Sequence, residues 1–245
     1  MNIVSKVQER IVFNKLYKFL SPILAAHQSG FKKNDGTHLQ LSRLVQEWSE
    51  ATDSSNYVAA VFFDIRKAFD RVWHRGLVAK LSAAGVSGSA LAWFENFLSE
   101  RSQRTVFGRR FSDRAFLHAG VPQGAILSPL LFILYMNDVS STPEASLNLF
   151  ADDTSLYVTA KVEEQLQIKL SAAVQSLISW FDKWILTVNT SKSALMVFRS
   201  KGMPVINLSC SVHGSPVSQV SSHKHLGIVF NDLLSWSDHT SYQVK

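Results

Sequence analysis

The stretch YVAAVFFD, residues 57–64, constrains the fold most, because seven apolar residues in succession end in an aspartate. An uninterrupted apolar run of this length, bounded by polar residues, is typical of a strand that is buried on both faces. The sequence therefore predicts a buried strand that carries Asp64 at its C-terminal edge.

A second acidic feature lies in LNLFADDTSLYV, residues 147–158, where Asp152 and Asp153 separate two apolar runs. Aspartate is a favoured turn residue, so a purely structural turn between two strands is one interpretation. If the strand that ends at Asp64 lies beside this hairpin, three carboxylates converge, and a divalent cation would relieve their repulsion. Oxygen ligands of this kind favour Mg²⁺ or Mn²⁺. Asp70 and Asp138 are further candidates, but helix capping or solvated salt bridges suit them better.

The remaining sequence mixes helical and strand patterns. Apolar residues at helical spacing, with capping residues, predict helices at about 5–20, 87–99, 128–137 and 162–183, a helix that begins near Thr37, and one that follows Asp64 and ends at about Ala84. Residues 104–120 predict a hairpin, and residues 194–200 predict a further strand. Because a hairpin stands inside the alternation, we expect an α+β fold with helices packed on one face of the sheet.

Composition limits the kind of protein and partner. The 245 residues carry 25 Lys+Arg against 19 Asp+Glu, a net charge of +6 that suits a polyanionic partner. The single cysteine, Cys210, excludes an intrachain disulfide and fits a reducing compartment. The most apolar stretch, residues 125–136, is too short to cross a bilayer, and no secretory signal is visible, so we expect a soluble protein without a membrane partner.

Three stretches in succession resemble a known family. FFDIRKAFDRVWHRGL (62–77), GVPQGAILSPLLFILYMNDV (120–139) and LFADDTSLYV (149–158) resemble motifs A, B and C of reverse transcriptases of the non-LTR, LINE-type retrotransposons. NTSKSALMVF (189–198) resembles motif D, HLGIVFNDLLSW (225–236) resembles motif E, and HQSGFKK (27–33) resembles a fingers segment. The resemblance implies a right-hand polymerase palm with an antiparallel sheet. It divides the chain into partial fingers (1–56), palm (57–230) and the start of a truncated thumb (231–245).

The resemblance also implies roles at the catalytic centre. Asp64 and Asp152 would hold two Mg²⁺ or Mn²⁺ ions, with Asp153 assisting beside Asp152 and the carbonyl of Ile65 as a backbone ligand. Lys192 matches a lysine that would donate a proton to pyrophosphate, although a solvated surface lysine is equally compatible with its position.

Further matched residues would bind the nucleotide, primer and template, and Ile65 would belong to the nucleotide-binding residues as well. Phe69 would pack under the incoming sugar and exclude a 2′-hydroxyl, and its alternative is ordinary core packing. Gln123 and Gly124 would contact the nucleotide or template, and flexible turns are the alternative for the glycines. The residues that would contact primer or template are Gly120, Pro122, Leu226 and Gly227.

Basic residues surround these motifs. Arg66, Lys67, Arg71 and Arg75 follow Asp64 closely, and either phosphate contact or a solvated helix face accounts for them. The pair Lys32-Lys33 in the fingers segment could likewise reach template or triphosphate.

The chain departs from the family pattern at both ends. A fingers motif containing Arg-Pro-Ile is absent ahead of NIVSKVQERI, the sequence stops soon after motif E, and an endonuclease domain is missing. We expect these parts to belong to a full-length protein, which by family would be nuclear or cytoplasmic.

The function predicted is an RNA-directed DNA polymerase that adds dNTPs to a DNA primer on an RNA template. One alternative is a catalytically silent, retrotransposon-derived remnant that at most binds nucleic acid. A maturase of the group II intron type shares the palm, but the Phe-Ala-Asp-Asp wording favours the retrotransposon type.

Overall fold

Helices and strands mix along the chain much as the sequence predicts, and the computed structural model describes residues 3–244. The helices are Ile3–Leu20 (α1), Thr37–Asp53 (α2), His74–Ala83 (α3), Gly88–Leu98 (α4), Ser128–Tyr135 (α5), Glu163–Lys183 (α6) and Ser237–Gln243 (α7). Single 3₁₀ turns occupy Ser21–Ile23 and Ala68–Arg71. Within residues 3–244, no helix is both long and apolar enough to cross a membrane.

The strands differ greatly in length, and those that build the main sheet are the longest. They are Tyr57–Phe63 (β1), Ser102–Gln103 (β2), Val106–Phe107 (β3), Arg110–Phe111 (β4), Ala115–Phe116 (β5), Ser146–Phe150 (β6), Asp153–Ala160 (β7), Ala194–Phe198 (β8), Ser211–Val212 (β9), Ser215–Pro216 (β10), Ser218–Gln219 (β11), Ser222–His225 (β12) and Ile228–Asn231 (β13).

The chain forms two compact units, which we describe separately. The helical unit comprises residues 3–25, 67–138 and 184–186. The sheet unit comprises residues 26–66, 139–183 and 187–244.

A five-stranded sheet in the order β11-β8-β1-β7-β6 forms the centre of the sheet unit. All seven residues of β1 are buried, and β1 pairs antiparallel with both β7 and β8. Strand β7 pairs antiparallel with β6, whereas the short β11 runs parallel to β8. The predicted buried strand is therefore confirmed as the middle of the sheet, and the α+β class is confirmed with it.

Helices cover both faces of this sheet, which corrects the expectation that they pack on one face. Trp48 of α2 is fully buried and packs against Phe62 of β1, with ring centroids 6.2 Å apart. The next residue, Phe63, contacts Phe181 of α6 at 6.3 Å. Successive side chains of a strand point to opposite faces, so α2 and α6 cover opposite sides. A strand that is apolar throughout requires such two-sided cover.

The helical unit is built around α5, whose residues are all buried except the half-buried Pro129. Helix α3 packs against both α4 and α5, and Gly85, with a φ of 97°, follows the end of α3 as predicted. Helix α5 begins at Ser128 with Pro129 in its first turn, close to the predicted start. The hairpin predicted at 104–120 is present as two pairs of short strands, β2 with β5 and β3 with β4, and it begins slightly earlier, at Ser102.

Two predicted helix starts are displaced. Helix α1 already includes Ile3 and Val4, so Ser5 is not its N-cap. Helix α2 has Gly36 at its N-cap position, which places Thr37 inside the first turn. In both cases the helix extends one or two residues beyond the capping-box pattern, the usual uncertainty of a helix boundary.

Candidate active site

The two adjacent aspartates lie at the tip of the hairpin formed by β6 and β7. Phe150 and Asp153 form the last strand pair, so Ala151 and Asp152 make a two-residue turn. Ala151 has a φ of 57°, the positive value that the first central residue of a primed hairpin turn adopts. Asp152 is half-buried, and Asp153, the first residue of β7, is exposed. The hairpin predicted from the sequence is thus confirmed, with Asp152 in its turn.

The fingers-like segment HQSG supports this hairpin from the side. Residues 27–29 exchange two backbone hydrogen bonds of 2.8 Å with Leu149 of β6. The fully buried Gln28 then accepts two further hydrogen bonds at its Oε1, from the N–H groups of Gly30 at 2.9 Å and Ala151 at 3.1 Å. No sequence pattern assigns this role to Gln28, because its partner in the hairpin lies 123 residues away along the chain.

Asp64 reaches the same end of the sheet from β1. The register pairs Phe63 with Thr154, so Asp64 leaves β1 beside the start of β7. Its N–H donates to Ser193 Oγ at 3.1 Å, and its carbonyl accepts the N–H of Asn189 at 2.7 Å. The motif D segment therefore fixes the backbone of Asp64.

The three carboxylates share one electrostatic environment. Burial raises the pKa of Asp152; a backbone hydrogen bond lowers it, and the charge of Asp64 raises it again. Desolvation by the surrounding protein also raises the pKa of Asp153, and the charges of Asp152 and Asp64 raise it further. Carboxylates that disfavour each other's ionised form are stabilised by a cation placed among them.

The residues present fit a hard divalent cation that also binds substrate oxygens. Among residues 3–244, no group of three or more His, Cys, Asp or Glu side chains encloses a complete metal site. Mg²⁺ commonly takes only one or two carboxylates and completes its shell with water and phosphate, so the donor set here suits it. The backbone bonds on either side of Ile65 join Asp64 to Asn189 and Arg66 to Thr187, and neither uses the Ile65 carbonyl.

A cavity of about 430 Å³ opens beside the carboxylates of the sheet unit. Asp64 and Asp153 line it together with three other predicted residues, Lys192, Leu226 and Gly227. The structure therefore brings at least one candidate from each of motifs A, C, D and E to one cavity. Asp152 is not among its lining residues, although its charge interacts with that of Asp153.

Two histidines to which the sequence assigned no role, His223 and His225, also line this cavity. The imidazole of His223 stacks on Phe62, with ring centroids 4.5 Å apart, and His225 lies 4.8 Å from the same ring. Burial, and secondarily His223, lowers the pKa of His225 to about 4. The His-Lys-His sequence ahead of Leu226 is the signal that could have identified them.

The predicted nucleotide-binding residues of motif B, and Phe69, lie in the helical unit. Phe69 is half-buried and stacks on Phe132 of α5, with ring centroids 4.3 Å apart and an interplanar angle of 17°. The exposed Gln123 donates from Nε2 to Asp70 Oδ1 at 3.0 Å. Asp70 thus orients Gln123, a role that the sequence did not suggest.

The glycines of motif B differ in what requires them. A Cβ on Gly120 would lie 2.8 Å from the carbonyl oxygen of Asp70, so close backbone packing demands glycine there. Gly124 has a φ of 80° and open space around it, which fits a mobile or substrate-facing turn equally well. The carbonyl of Pro122 accepts the hydroxyl of Ser128 at 2.6 Å and so joins this loop to α5.

The basic residues around motif A, namely Arg66, Lys67, Arg71 and Arg75, are all exposed. Arg66 approaches Asn189 Oδ1 at 3.5 Å, a weak contact. Lys33 is likewise exposed, and Lys32 is half-buried. Asp138, by contrast, forms an ion pair with the buried Lys80, in line with the salt-bridge interpretation.

Two solved structures with the same fold are telomerases. The apo telomerase of Candida tropicalis matches 94% of this chain with a TM-score of 0.62 and 14% sequence identity, over 40% of its own length. A form of it truncated from the C-terminal domain matches with a TM-score of 0.60 and 13% identity, over 45% of its length. At this identity the likeness supports the right-hand polymerase fold alone.

Sequence relatives give the family. Residues 1–230 match the family described as reverse transcriptase (RNA-dependent DNA polymerase). The chain is 31% identical to a probable RNA-directed DNA polymerase from transposon X-element of Drosophila melanogaster, over 97% of the chain and 27% of the relative. It is 30% identical to the one from transposon BS, over 96% and 27%, and 29% identical to that of mobile element jockey, over 96% and 26%, both of the same fly. The chain thus spans about a quarter of the length of these relatives, and it belongs to the reverse transcriptase (RNA-dependent DNA polymerase) family, in its non-LTR, LINE-type retrotransposon branch.

Proposed function

We propose that this chain is the palm-centred polymerase domain of an RNA-directed DNA polymerase, with residues 1–56 as partial fingers and residues 231–245 as the start of a thumb. Its substrates would be a dNTP, a DNA primer and an RNA template. The observation that carries the proposal is the strand register, which places Asp64 at the end of β1 beside the start of β7, the same end of the sheet at which the β6–β7 turn carries Asp152 and Asp153.

The residues of the sheet unit divide the chemistry among them. Asp64 and Asp152 would hold two Mg²⁺ or Mn²⁺ ions, with the Ile65 carbonyl as a backbone ligand and Asp153 in support. Cations bound there would supply charge neutralisation at the attacking and leaving oxygens. The primer 3′-oxygen bonds to the α-phosphorus of the nucleotide, the bond to pyrophosphate breaks, and the hydroxyl proton is released. Lys192, which lines the same cavity as Asp64, would protonate the departing pyrophosphate.

The remaining predicted residues would select and place the substrates. The Phe69 ring, held by its stacking on Phe132, would exclude a ribose 2′-hydroxyl by steric conflict. Gln123 and Gly124 would contact the nucleotide, and Gly120 and Pro122 would shape the loop that faces template or primer. Leu226 and Gly227 would support the primer end beside Asp64 and Lys192.

Primer extension on poly(rA)/oligo(dT) with Mg²⁺ or Mn²⁺ tests the proposal. We expect extension by the wild type, loss of about a thousandfold or more in Asp64→Asn and Asp152→Asn, and a smaller loss in Asp153→Asn. Asp53→Asn, an exposed acid at the end of α2, is the matched control and keeps full activity. Folded wild type that extends no better than Asp152→Asn would reject catalysis by this chain and favour a silent remnant.

A second measurement tests the cation site without turnover. We expect Mn²⁺ to raise the melting temperature of the wild type, because a ligand that binds only the folded state stabilises it. The rise should disappear in the Asp64→Asn/Asp152→Asn double variant and persist in Asp53→Asn. An equal rise in all three proteins would place the cation elsewhere.

A further inference from the structure

The hairpin formed by residues 101–118, which we call the arginine arm, concentrates the positive charge of the chain. Its sequence RSQRTVFGRRFSDRAFLH contains five arginines against one aspartate, and so contributes four of the six net positive charges. Among residues 3–244, none of these arginines forms an ion pair with a carboxylate. The arm therefore presents uncompensated charge to solvent.

Three aromatic rings stand exposed on the same arm. The exposed fractions are 86% for Phe107, 58% for Phe111 and 68% for Phe116. Transfer of such rings from water to a stacked contact is favourable, and small soluble domains seldom leave several of them together in solvent. An exposed aromatic cluster within a strongly basic hairpin is the composition of a surface that binds both bases and phosphates.

The strand register places an arginine next to a ring on each face of the arm tip. Phe107 pairs with Arg110, so their side chains share one face. On the other face Phe111 pairs with Val106, and the guanidinium carbon of Arg104 lies 4.3 Å from the centroid of the Phe111 ring. Gly108, with a φ of 60°, lies in the turn that joins β3 to β4.

We propose that the arginine arm binds single-stranded nucleic acid, with bases stacked on Phe107 and Phe111 and phosphates contacted by Arg104 and Arg110. In the proposed polymerase this surface would hold the template strand. Only the identification of the bound strand as the template rests on the proposed function. Stacking is tolerant of sequence because every base has a flat aromatic face, whereas the arginines neutralise backbone charge.

Two other partners suit the arm less well. An intact duplex keeps its bases stacked on one another, so the protruding rings would find only its backbone. A protein partner would have to bury arginines without counter-charges, which is costly unless acidic residues face each of them. Both remain distinguishable outcomes of the experiment.

Fluorescence anisotropy in EDTA separates this binding from catalysis, because polymerisation requires the cations that EDTA removes. The probes are labelled oligo(rU) and oligo(dT) of about 20 nucleotides, longer than a typical single-strand site. We expect Phe107→Leu/Phe111→Leu, which keeps the apolar surface but removes the rings, to weaken binding about tenfold. Arg104→Gln/Arg110→Gln should also weaken it, and should reduce the slope of log K against log salt by about 1.4.

Matched controls and the overturning results follow from the same titrations. Lys161→Gln/Lys183→Gln removes two exposed charges outside the arm. Its affinity for the probe should stay within about twofold of the wild-type value, because substitutions at distant sites have little effect on one another. Unchanged affinity in both arm variants, or no binding by the wild type, would overturn the proposal. So would equal competition by duplex RNA, or a change of oligomeric state in the ring variant without a change in affinity. If the wild type fails to extend a primer but still binds the probes through the arm, the polymerase function is rejected and the arm proposal stands.

Discussion

A Cβ atom on Gly30 would lie 2.2 Å from the backbone nitrogen of Ala151 and 2.8 Å from the carbonyl carbon of Phe150. The fingers-like HQSG segment therefore touches the backbone of the catalytic hairpin at the turn that carries Asp152. Glycine is required by this close approach, and Gly30 does not adopt a positive φ. The position of Asp152 thus depends on a segment remote from it in sequence.

Gly30→Ala should destabilise the sheet unit by about 1–3 kcal/mol, because the methyl group meets rigid backbone and the hairpin has to shift. Urea unfolding measures the change. Gly36→Ala is the control, since its Cβ would meet only the flexible His38 ring at 3.2 Å, and it should cost less. Equal losses in the two variants would mean that the hairpin contact is not tight.

Gln28→Met should destabilise the protein by roughly 2–3 kcal/mol, because it keeps the side-chain volume but leaves the N–H groups of Gly30 and Ala151 buried without an acceptor. We also expect the kcat of primer extension to fall, because the turn that places Asp152 loses a restraint. Gln46→Met, on the exposed face of α2, is the matched control. If Gln28→Met unfolds at the same urea concentration as the control, the two hydrogen bonds contribute nothing measurable.

Local patterns were enough to predict most of the sheet unit. The apolar run that ends at Asp64 and the Asp-Asp turn each follow from side-chain alternation and turn chemistry within a dozen residues. The continuous apolar character of β1 also implied cover on both faces, which the expectation of helices on one face overlooked.

Non-local contacts account for what the sequence did not predict. HQSG resembles a loop because it is polar and contains glycine, and only the fold reveals that Gln28 bonds to the turn of Ala151. His223 and His225 were missed because their place beside Phe62 depends on how the β12–β13 hairpin packs on the sheet. The pairing of Asp70 with Gln123 likewise joins two motifs 53 residues apart.

Glu9→Ala should destabilise the helical unit by roughly 2–3 kcal/mol. Oε2 of this buried carboxylate accepts the N–H of Ile126 at 2.7 Å and of Leu127 at 3.3 Å, just ahead of α5. A negative charge there satisfies free amide groups and complements the helix dipole. Thermal unfolding of Glu9→Ala, with exposed Glu163→Ala as the control, measures the difference. Indistinguishable melting curves would show that water replaces the carboxylate at no cost.

Acid should destabilise the fold through His225. Its pKa falls from 6.5 to about 4 on folding, chiefly because burial disfavours the charged imidazole. Between these two values the unfolded chain binds more protons, so the free energy of unfolding falls as the pH drops from 6.5 towards 4. The loss from this one group is at most about 3.5 kcal/mol, at about 1.4 kcal/mol for each pH unit.

His225→Phe should flatten that acid slope, because the substituted ring fits beside Phe62 and carries no titrating group. Part of the slope should remain, since burial also lowers the pKa of His223. His118→Phe, at an exposed position, is the control and should keep the full slope. The measurement is urea unfolding at several pH values between about 4 and 7, which brackets the window of linkage. Parallel pH profiles for wild type and His225→Phe would mean that His225 is already solvated in the folded protein.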